Sequence, residues 1–394
     1  METTQTMIAK GPTMCILPWM HIYTSAGGDV VPCCEAQEAY MNKPGESLRD
    51  TWNGERYREL RRALMAGEQH PACHVCWHNE ANGIDSNRLI NEEDFWDDYA
   101  DKIVAFEDGT VENAPMWIES KVSNFCNLKC KMCSTESSYK RTHDLDIIRK
   151  FSPEDDEFQH ETRLLRPLEL YEYLQNDPEL WEDVDRMQFS GGEPIINEEH
   201  YTLLNSIPKH RRHKIQLRYA SNLTKLQFKK HDLIDLWSQF RHVQVKISID
   251  GVHDVYNYIR TGAQFDDVVS NIRTLYASPV NVSLGLGLTV QAFNAFQLPE
   301  FYDYFEGMGI DWFHIGAYML QTPKYLNIGV YPEPYRSAIQ NKLRADGRFD
   351  HIVKYLDSND RTKLWNKKTL PYAQALETRY KDTDTFEGLL EKYL

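Results

Sequence analysis

Strand-like segments recur through the middle of the chain, at 116–122, 185–190, 215–221, 243–249, 282–290 and 312–317. Helix-like segments at 198–207, 226–240, 265–277 and 298–307 fill the intervals. In 226–240 the apolar residues Leu233, Ile234, Trp237 and Phe240 follow helical spacing. Strands alternating with helices at a repeat of roughly 30 residues predict βα units and a parallel sheet, an α/β fold. In such folds chemistry gathers where strands end and loops begin, so the residues just after each strand are the first to read.

The chain has 394 residues, enough for two or three domains. We expect a cysteine-rich unit at 1–90, a linker at 91–114, the α/β unit at 115–320 and a helical extension at 321–394 punctuated by Pro332, Pro334 and Pro371. The formal net charge of −15 argues against a nucleic-acid backbone or an anionic membrane as partner, because both need clustered Lys and Arg. The basic run at 209–214 reads as a solvated connection. No apolar run approaches the ~20 residues of a membrane span. Residues 1–12 lack the layout of a signal peptide, so the expected location is the cytoplasm.

All eight cysteines fall within the first 133 residues, and in a reducing compartment such clustering suggests metal sites rather than disulfides. Cys126, Cys130 and Cys133 stand at C-x3-C-x2-C spacing just after the first strand of the α/β unit. Three thiolates hold three irons of a [4Fe–4S] cluster and leave the fourth iron open to a small molecule. A structural zinc site wants four ligands, so an odd three favours chemistry. Two companions follow later strands: Gly191-Gly192-Glu193-Pro194 and Ser248-Ile249-Asp250-Gly251.

With these three motifs the chain resembles the radical S-adenosylmethionine (SAM) enzymes over about 115–320. The resemblance implies a partial (β/α)6 TIM-like barrel. It implies that Cys126, Cys130 and Cys133 ligate a [4Fe–4S] cluster whose open iron is chelated by SAM. One electron then cleaves SAM to a 5′-deoxyadenosyl radical, the electron coming from a reductant such as flavodoxin or ferredoxin. Gly191, Gly192, Glu193 and Pro194 match the segment that receives the SAM amino group. Met132 holds the place where many relatives carry an aromatic against the adenine, and a thioether packs there too. Asn222 and Ser248 match polar positions near ribose and carboxylate, and Arg260 offers a guanidinium fork to the SAM carboxylate. For Asn222, Ser248 and Arg260 a structural polar role is the alternative. Lys129 and Lys131 either soften the cluster's negative charge or are simply solvated.

The N-terminal cysteines form a second constellation. Cys15, Cys33, Cys73 and Cys76, with a hairpin turn expected around Gly28, resemble the auxiliary-cluster domain called SPASM in its shortened twitch form, here preceding the barrel. Four thiolates would close a second [4Fe–4S] cluster, which favours a relay or structural role. A zinc site with the same four ligands is the alternative. Cys34 is left over as a bystander, as the true ligand in place of Cys33, or as a redox-active thiol.

Together these readings imply a radical SAM oxidoreductase or transferase-like modifying enzyme acting on a peptide or protein side chain. A small-molecule or nucleoside substrate is the second reading, and a non-catalytic SAM-binding iron–sulfur regulator or electron carrier the third. Between Cys133 and Gly191 lie 57 residues, more than one crossover helix needs. The acidic and aromatic stretch 151–185 within them reads as inserted helices.

Overall fold

In the segment His242–Ser248 every second residue is apolar. Val243, Val245 and Ile247 are fully buried, while His242, Gln244, Lys246 and Ser248 between them are half-buried. A period of two places the two sets on opposite faces of a strand. The same alternation in neighbouring segments yields one sheet with an apolar face under helices and a polar inner face.

The computed structural model describes residues 4–36, 41–42, 46, 48–81, 85–153, 164–165 and 179–394. The strands of the main sheet are β1 (His21–Thr24), β2 (Val30–Val31), β3 (Trp117–Lys121), β4 (Arg186–Ser190), β5 (Gln216–Ser221), β6 (His242–Ser248), β7 (Val282–Val290) and β8 (Trp312–Met319). Their order across the sheet is β8-β7-β6-β5-β4-β3-β1-β2. From β3 to β8 each strand pairs in parallel with the next in sequence, which is the partial barrel. Its edges are β2 and β8, so the barrel is open on one side.

The N-terminal hairpin is part of this sheet. Strand β2 pairs antiparallel with β1, and β1 pairs in parallel with β3, His21 opposite Trp117. The hairpin turn needs Gly28, whose φ of +93° an L side chain rarely adopts. Among the helices are α1 (Glu55–Met65), α2 (His74–Ala81), α3 (Asn87–Tyr99), α4 (Glu198–Ser206), α5 (Leu233–Trp237), α6 (His253–Ile259), α7 (Phe265–Tyr276), α8 (Leu298–Glu306), α9 (Tyr335–Asp346), α10 (Asp350–Ser358), α11 (Leu370–Tyr380) and α12 (Phe386–Tyr393). No helix among the described residues is long and apolar enough to cross a membrane.

Four local expectations need correction. The stretch 91–114 is not a loose linker. Its first residues belong to α3, whose Phe95 packs edge-on against Trp117 at 5.2 Å, and Ala105–Phe106 pairs with Gln5–Thr6. The helix expected at 226–240 shrinks to α5. A small hairpin, Gln227–Phe228 with His231–Asp232, precedes it, and the Asp232 carboxylate caps α5 by accepting from the Ile234 and Asp235 amides. The basic run at 209–214 is only partly solvated. Arg211 and Arg212 are buried and donate to backbone carbonyls, including those of Trp181 and Ile207. Pro371 starts α11 rather than ending a helix, since its missing N–H is harmless in a first turn. The inserted helices expected at 151–185 lie mostly outside the described residues.

Candidate metal centre

The loop after β3 carries Cys126, Cys130 and Cys133, and three layers of contacts fix it. Beneath it lies the turn after β4. Gly191 and Gly192 have φ of +75° and +50°, and a Cβ on Gly192 would stand 2.3 Å from the Phe125 carbonyl oxygen. Only glycine allows this approach, and the Glu193 amide then donates to Phe125 O at 2.9 Å. Beside it runs the end of α6, where the Lys129 and Lys131 amides donate to the carbonyls of Thr261 and Ile259, each at 2.9 Å. Behind it sits the C-terminal extension. Tyr372 Oη donates to Lys131 O at 2.7 Å, and Lys131 Nζ reaches the Asp382 carboxylate at 2.6 Å.

The three thiols are ringed by donors. The Leu128 amide approaches Cys126 Sγ at 3.4 Å, the Asn222 amide group at 3.8 Å, and Arg260 Nη1 lies 3.9 Å from Cys130 Sγ. Burial pushes the Cys126 thiol up to about 12. Cys130 and Cys133 share a hydrogen bond that raises the first and lowers the second. A bound metal would draw the remaining protons off this set, and the surrounding donors favour the thiolates. Three soft sulfurs surrounded by N–H groups fit an iron–sulfur cluster.

The remaining residues expected here take these places. Met132 is buried within the loop. The carbonyls of Gly191 and Gly192 accept no hydrogen bond among the described residues, so they are open to an ammonium. The Glu193 carboxylate is turned into the protein and accepts from the Ile195 amide, the Ser221 hydroxyl and the Asn222 amide. Burial pushes its pKa up to about 7 against the pull of those donors. Pro194 opens the short helical turn Pro194–Ile196. Asn222 also binds Asn127 and Thr224. Ser248 ends β6, half-buried. Arg260 sets Nη2 on Asp250 at 2.8 Å, while its buried Nε and the buried Tyr256 hydroxyl have no hydrogen-bond partner among the described residues. Burial opposes the Arg260 charge, but Asp250 and the thiols outweigh it. Lys131 faces away from the thiols, towards Asp382 and the Tyr258 ring.

Cys15, Cys33, Cys73 and Cys76 line one cavity, with Pro18 and Arg88 among its walls. Cys34 is not among its lining residues. Cys15 precedes the turn Leu17–Met20, Cys33 follows β2, and Cys73 and Cys76 sit around the start of α2. Burial pushes all four thiols up, Cys73 to about 12. Among the described residues no group of three or more His, Cys, Asp or Glu converges closely enough to hold a single metal ion. Four thiols around a common cavity are a ligand set for a multi-iron cluster or for one zinc ion.

Fold and donor sets define a class: a partial α/β barrel with a three-cysteine centre at its strand ends and a four-cysteine site on the same sheet. Residues 120–305 match the Radical SAM superfamily, and residues 15–77 match the SPASM iron-sulfur cluster-binding domain. Residues 120–305 thus form a radical SAM domain, and residues 15–77 form a SPASM iron–sulfur domain ahead of it. The two families imply a [4Fe–4S] cluster with SAM in the barrel and a further iron–sulfur cluster in the N-terminal unit.

Among solved structures the chain is similar to anSMEcpe with bound AdoMet, at 18% identity and TM-score 0.39 over 62% of each chain. It is also similar to SuiB of Streptococcus suis bound to precursor peptide SuiA, at 14% identity and TM-score 0.39, covering 75% of this chain and 62% of that one. The chain thus spans less than two thirds of the length of these relatives. Among curated proteins nothing matches.

Proposed function

We propose that this protein cleaves SAM reductively at the Cys126/Cys130/Cys133 centre and abstracts hydrogen from a carbon of a peptide or protein side chain. The observation that carries the reading is the cysteine loop itself. It is held against the Gly191-Gly192 turn at the strand ends, near two carbonyls and two buried donors, Arg260 Nε and Tyr256 Oη, that have no hydrogen-bond partner among the described residues.

When bound, the cluster and SAM supply the electron and the radical. The chain supplies the setting. Cys126, Cys130 and Cys133 would hold the cluster. The Gly191 and Gly192 carbonyls would accept from the SAM ammonium, and Arg260 and Tyr256 would donate to its carboxylate. Buried Leu128, Met132 and Ile249 exclude water from the loop. The N-terminal cysteines have no spare ligand position, which supports a relay rather than a substrate-binding role. A peptide substrate is supported by the SPASM unit, which in the resembled family accompanies peptide modification.

Anaerobic reconstitution with SAM and dithionite tests the reading. Production of 5′-deoxyadenosine is the expected result, and its absence from a protein loaded with both clusters would overturn the proposal.

A further inference from the structure

The inner face of the sheet carries groups that neither cysteine site uses. Side chains there stand in rows set by strand register. The row nearest the strand starts is closed. Arg186 Nε donates to Gln216 Oε1 at 3.1 Å, Gln216 Nε2 meets His242 Nδ1 at 3.0 Å, and His242 Nε2 meets Ser283 Oγ at 2.8 Å. The Arg186 guanidinium also lies over the Phe95 and Trp117 rings.

The next row is open. Glu119, Gln188, Arg218 and Gln244 are successive register partners across β3, β4, β5 and β6. Glu119 already accepts from the Gln188 amide at 2.8 Å, and His21 Nε2 lies 3.4 Å away. Arg218 is half-buried, yet among the described residues it has no hydrogen bond and no ion pair. Burial and then Arg186 disfavour its ionisation, with partial relief from Glu119, Asp94 and Tyr99, and its guanidinium lies 5.7 Å from the Trp117 ring centroid. One row up, Lys246 donates to the Tyr318 hydroxyl at 2.9 Å and has no carboxylate partner among the described residues. A cavity opens between these groups, lined by Gln188, Arg218, Gln244, Lys246 and Phe313.

The neighbouring strand keeps that cavity clear. At the inner positions of β7 stand Gly285 and Gly287. A Cβ on Gly285 would meet the Phe313 ring at 2.6 Å, and one on Gly287 would meet Lys246 Cδ at 3.2 Å. Without side chains there, Phe313 and Lys246 lie across the strand. Phe313 remains 41% exposed although it belongs to the inner face.

Two cations facing one cavity without a carboxylate partner are unfavourable in a partly desolvated site unless a ligand neutralises them. The cluster occurs in a chain whose net charge is −15, so it is not a by-product of a basic composition. We propose that this cavity receives an anionic group of the substrate, with Arg218 and Lys246 as its ligands and Gln188 and Gln244 as further polar contacts. The inference rests on the proposed function and names its substrate class: a substrate bearing a carboxylate, such as a Glu or Asp side chain, or bearing a phosphate. Arg218 offers a planar fork to either group, and Lys246 a point charge. The aromatic face of Phe313 would pack on the apolar part of the same substrate.

Calorimetric titration of anaerobically reconstituted, SAM-saturated protein tests this. The probes are blocked tripeptides, acetyl-Ala-Glu-Ala-amide and its Gln counterpart, and inorganic phosphate. A charge-assisted contact predicts that the Glu peptide binds roughly tenfold tighter than the Gln peptide. Arg218→Gln should reduce that preference to less than about threefold, with a circular-dichroism spectrum as the fold check. Lys246→Gln, at a more accessible position, tests the same point if Arg218→Gln does not fold. The surface change Arg344→Gln should keep the preference. Saturable phosphate binding without a Glu preference, lost in either lumen variant, supports the site and assigns the anion to phosphate. Equal affinity for the two peptides with no phosphate binding overturns the inference, as does a Glu preference that survives both lumen variants. A wild type that makes 5′-deoxyadenosine but shows no anion preference refutes this inference alone. One that prefers the anion but makes none refutes the proposed function instead.

Discussion

Lys131, between two of the cluster cysteines, forms a 2.6 Å ion pair with Asp382, which lies 251 residues further along the chain. The Lys131 side chain is fully buried and that of Asp382 is 19% exposed. Burial lowers the lysine pKa, and Asp382 works against that shift. The C-terminal extension thus clamps the metal loop, although it carries no metal motif of its own.

Removing one partner should therefore strand a buried charge. Asp382→Ala is expected to cost about 3 kcal/mol of stability, and the double change with Lys131→Met should cost less than the single one. Denaturant melts of the three variants check this. Iron content after desalting should fall in Asp382→Ala, because the loop it anchors is the proposed holder of the barrel cluster. Equal stability of Asp382→Ala and wild type would rule out the clamp.

Reconstituted protein should hold about eight irons, two [4Fe–4S] units. Changing Cys126, Cys130 and Cys133 together to Ala should leave about four irons and no 5′-deoxyadenosine production. Iron assay and chromatography of the nucleoside product measure both. Full nucleoside production by the triple variant would be incompatible with the assignment.

The N-terminal site should behave differently. Cys76→Ala is expected to lose the second cluster, keep SAM binding and the unproductive cleavage of SAM, and stop conversion of the natural substrate. A folded Cys76→Ala protein that converts substrate at the full rate would exclude an obligatory relay. Zinc in place of four of the irons would make the site structural.

Gly192→Ala places a methyl 2.3 Å from a backbone oxygen at a φ of +50°. The backbone conformation alone costs about 1–2 kcal/mol, and the contact adds to it by pushing the turn off the cysteine loop. Loss of SAM binding is the expected result, read by equilibrium dialysis. Gly11→Ala, with nothing within 4 Å, is the control and should bind SAM as wild type does.

His200 gives a pH-dependent signal away from the metal sites. It is buried under β5, with Nε2 2.7 Å from the Tyr219 hydroxyl, and burial lowers its pKa from 6.5 to about 3. Between those values the unfolded chain binds the proton and the folded chain does not. Its contribution is thus complete above pH 6.5 and is lost as pH falls towards 3, by up to roughly tenfold in the folding constant per pH unit. His200→Gln should flatten this part of the stability profile. An unchanged slope between pH 4 and 6.5 would count against the assignment.

The βα alternation is legible in the sequence because Val243, Val245 and Ile247 and their counterparts obey a strict period of two. The cysteine and glycine motifs are legible because each follows a strand, and the structure brings Cys126 and Gly192 to the same strand-end loops. Lys131 is not, and reads as a solvated or charge-softening group, since its partner Asp382 is remote in sequence and sits in a segment without any motif. Arg218 gives no signal at all. In the sequence it is one polar residue in a strand, and only the register beside Gln188 and Gln244 shows that it has no hydrogen bond or ion pair among the described residues. The split of 226–240 into a hairpin and α5 is hidden because Leu233 and Trp237 keep helical spacing, while Lys229 takes a φ of +52° just before them.

The parallel pairing of His21 with Trp117 makes the cysteine-rich unit and the barrel one hydrogen-bonded ribbon rather than two bodies on a tether. Two iron–sulfur centres built on such a ribbon would hold a fixed separation, so an electron passing between them would cross a distance set at folding rather than by domain motion. A shortened chain lacking residues 1–90 would bare the edge of β3, with unpaired amides and carbonyls along Trp117 to Ser120, and should self-associate through that edge.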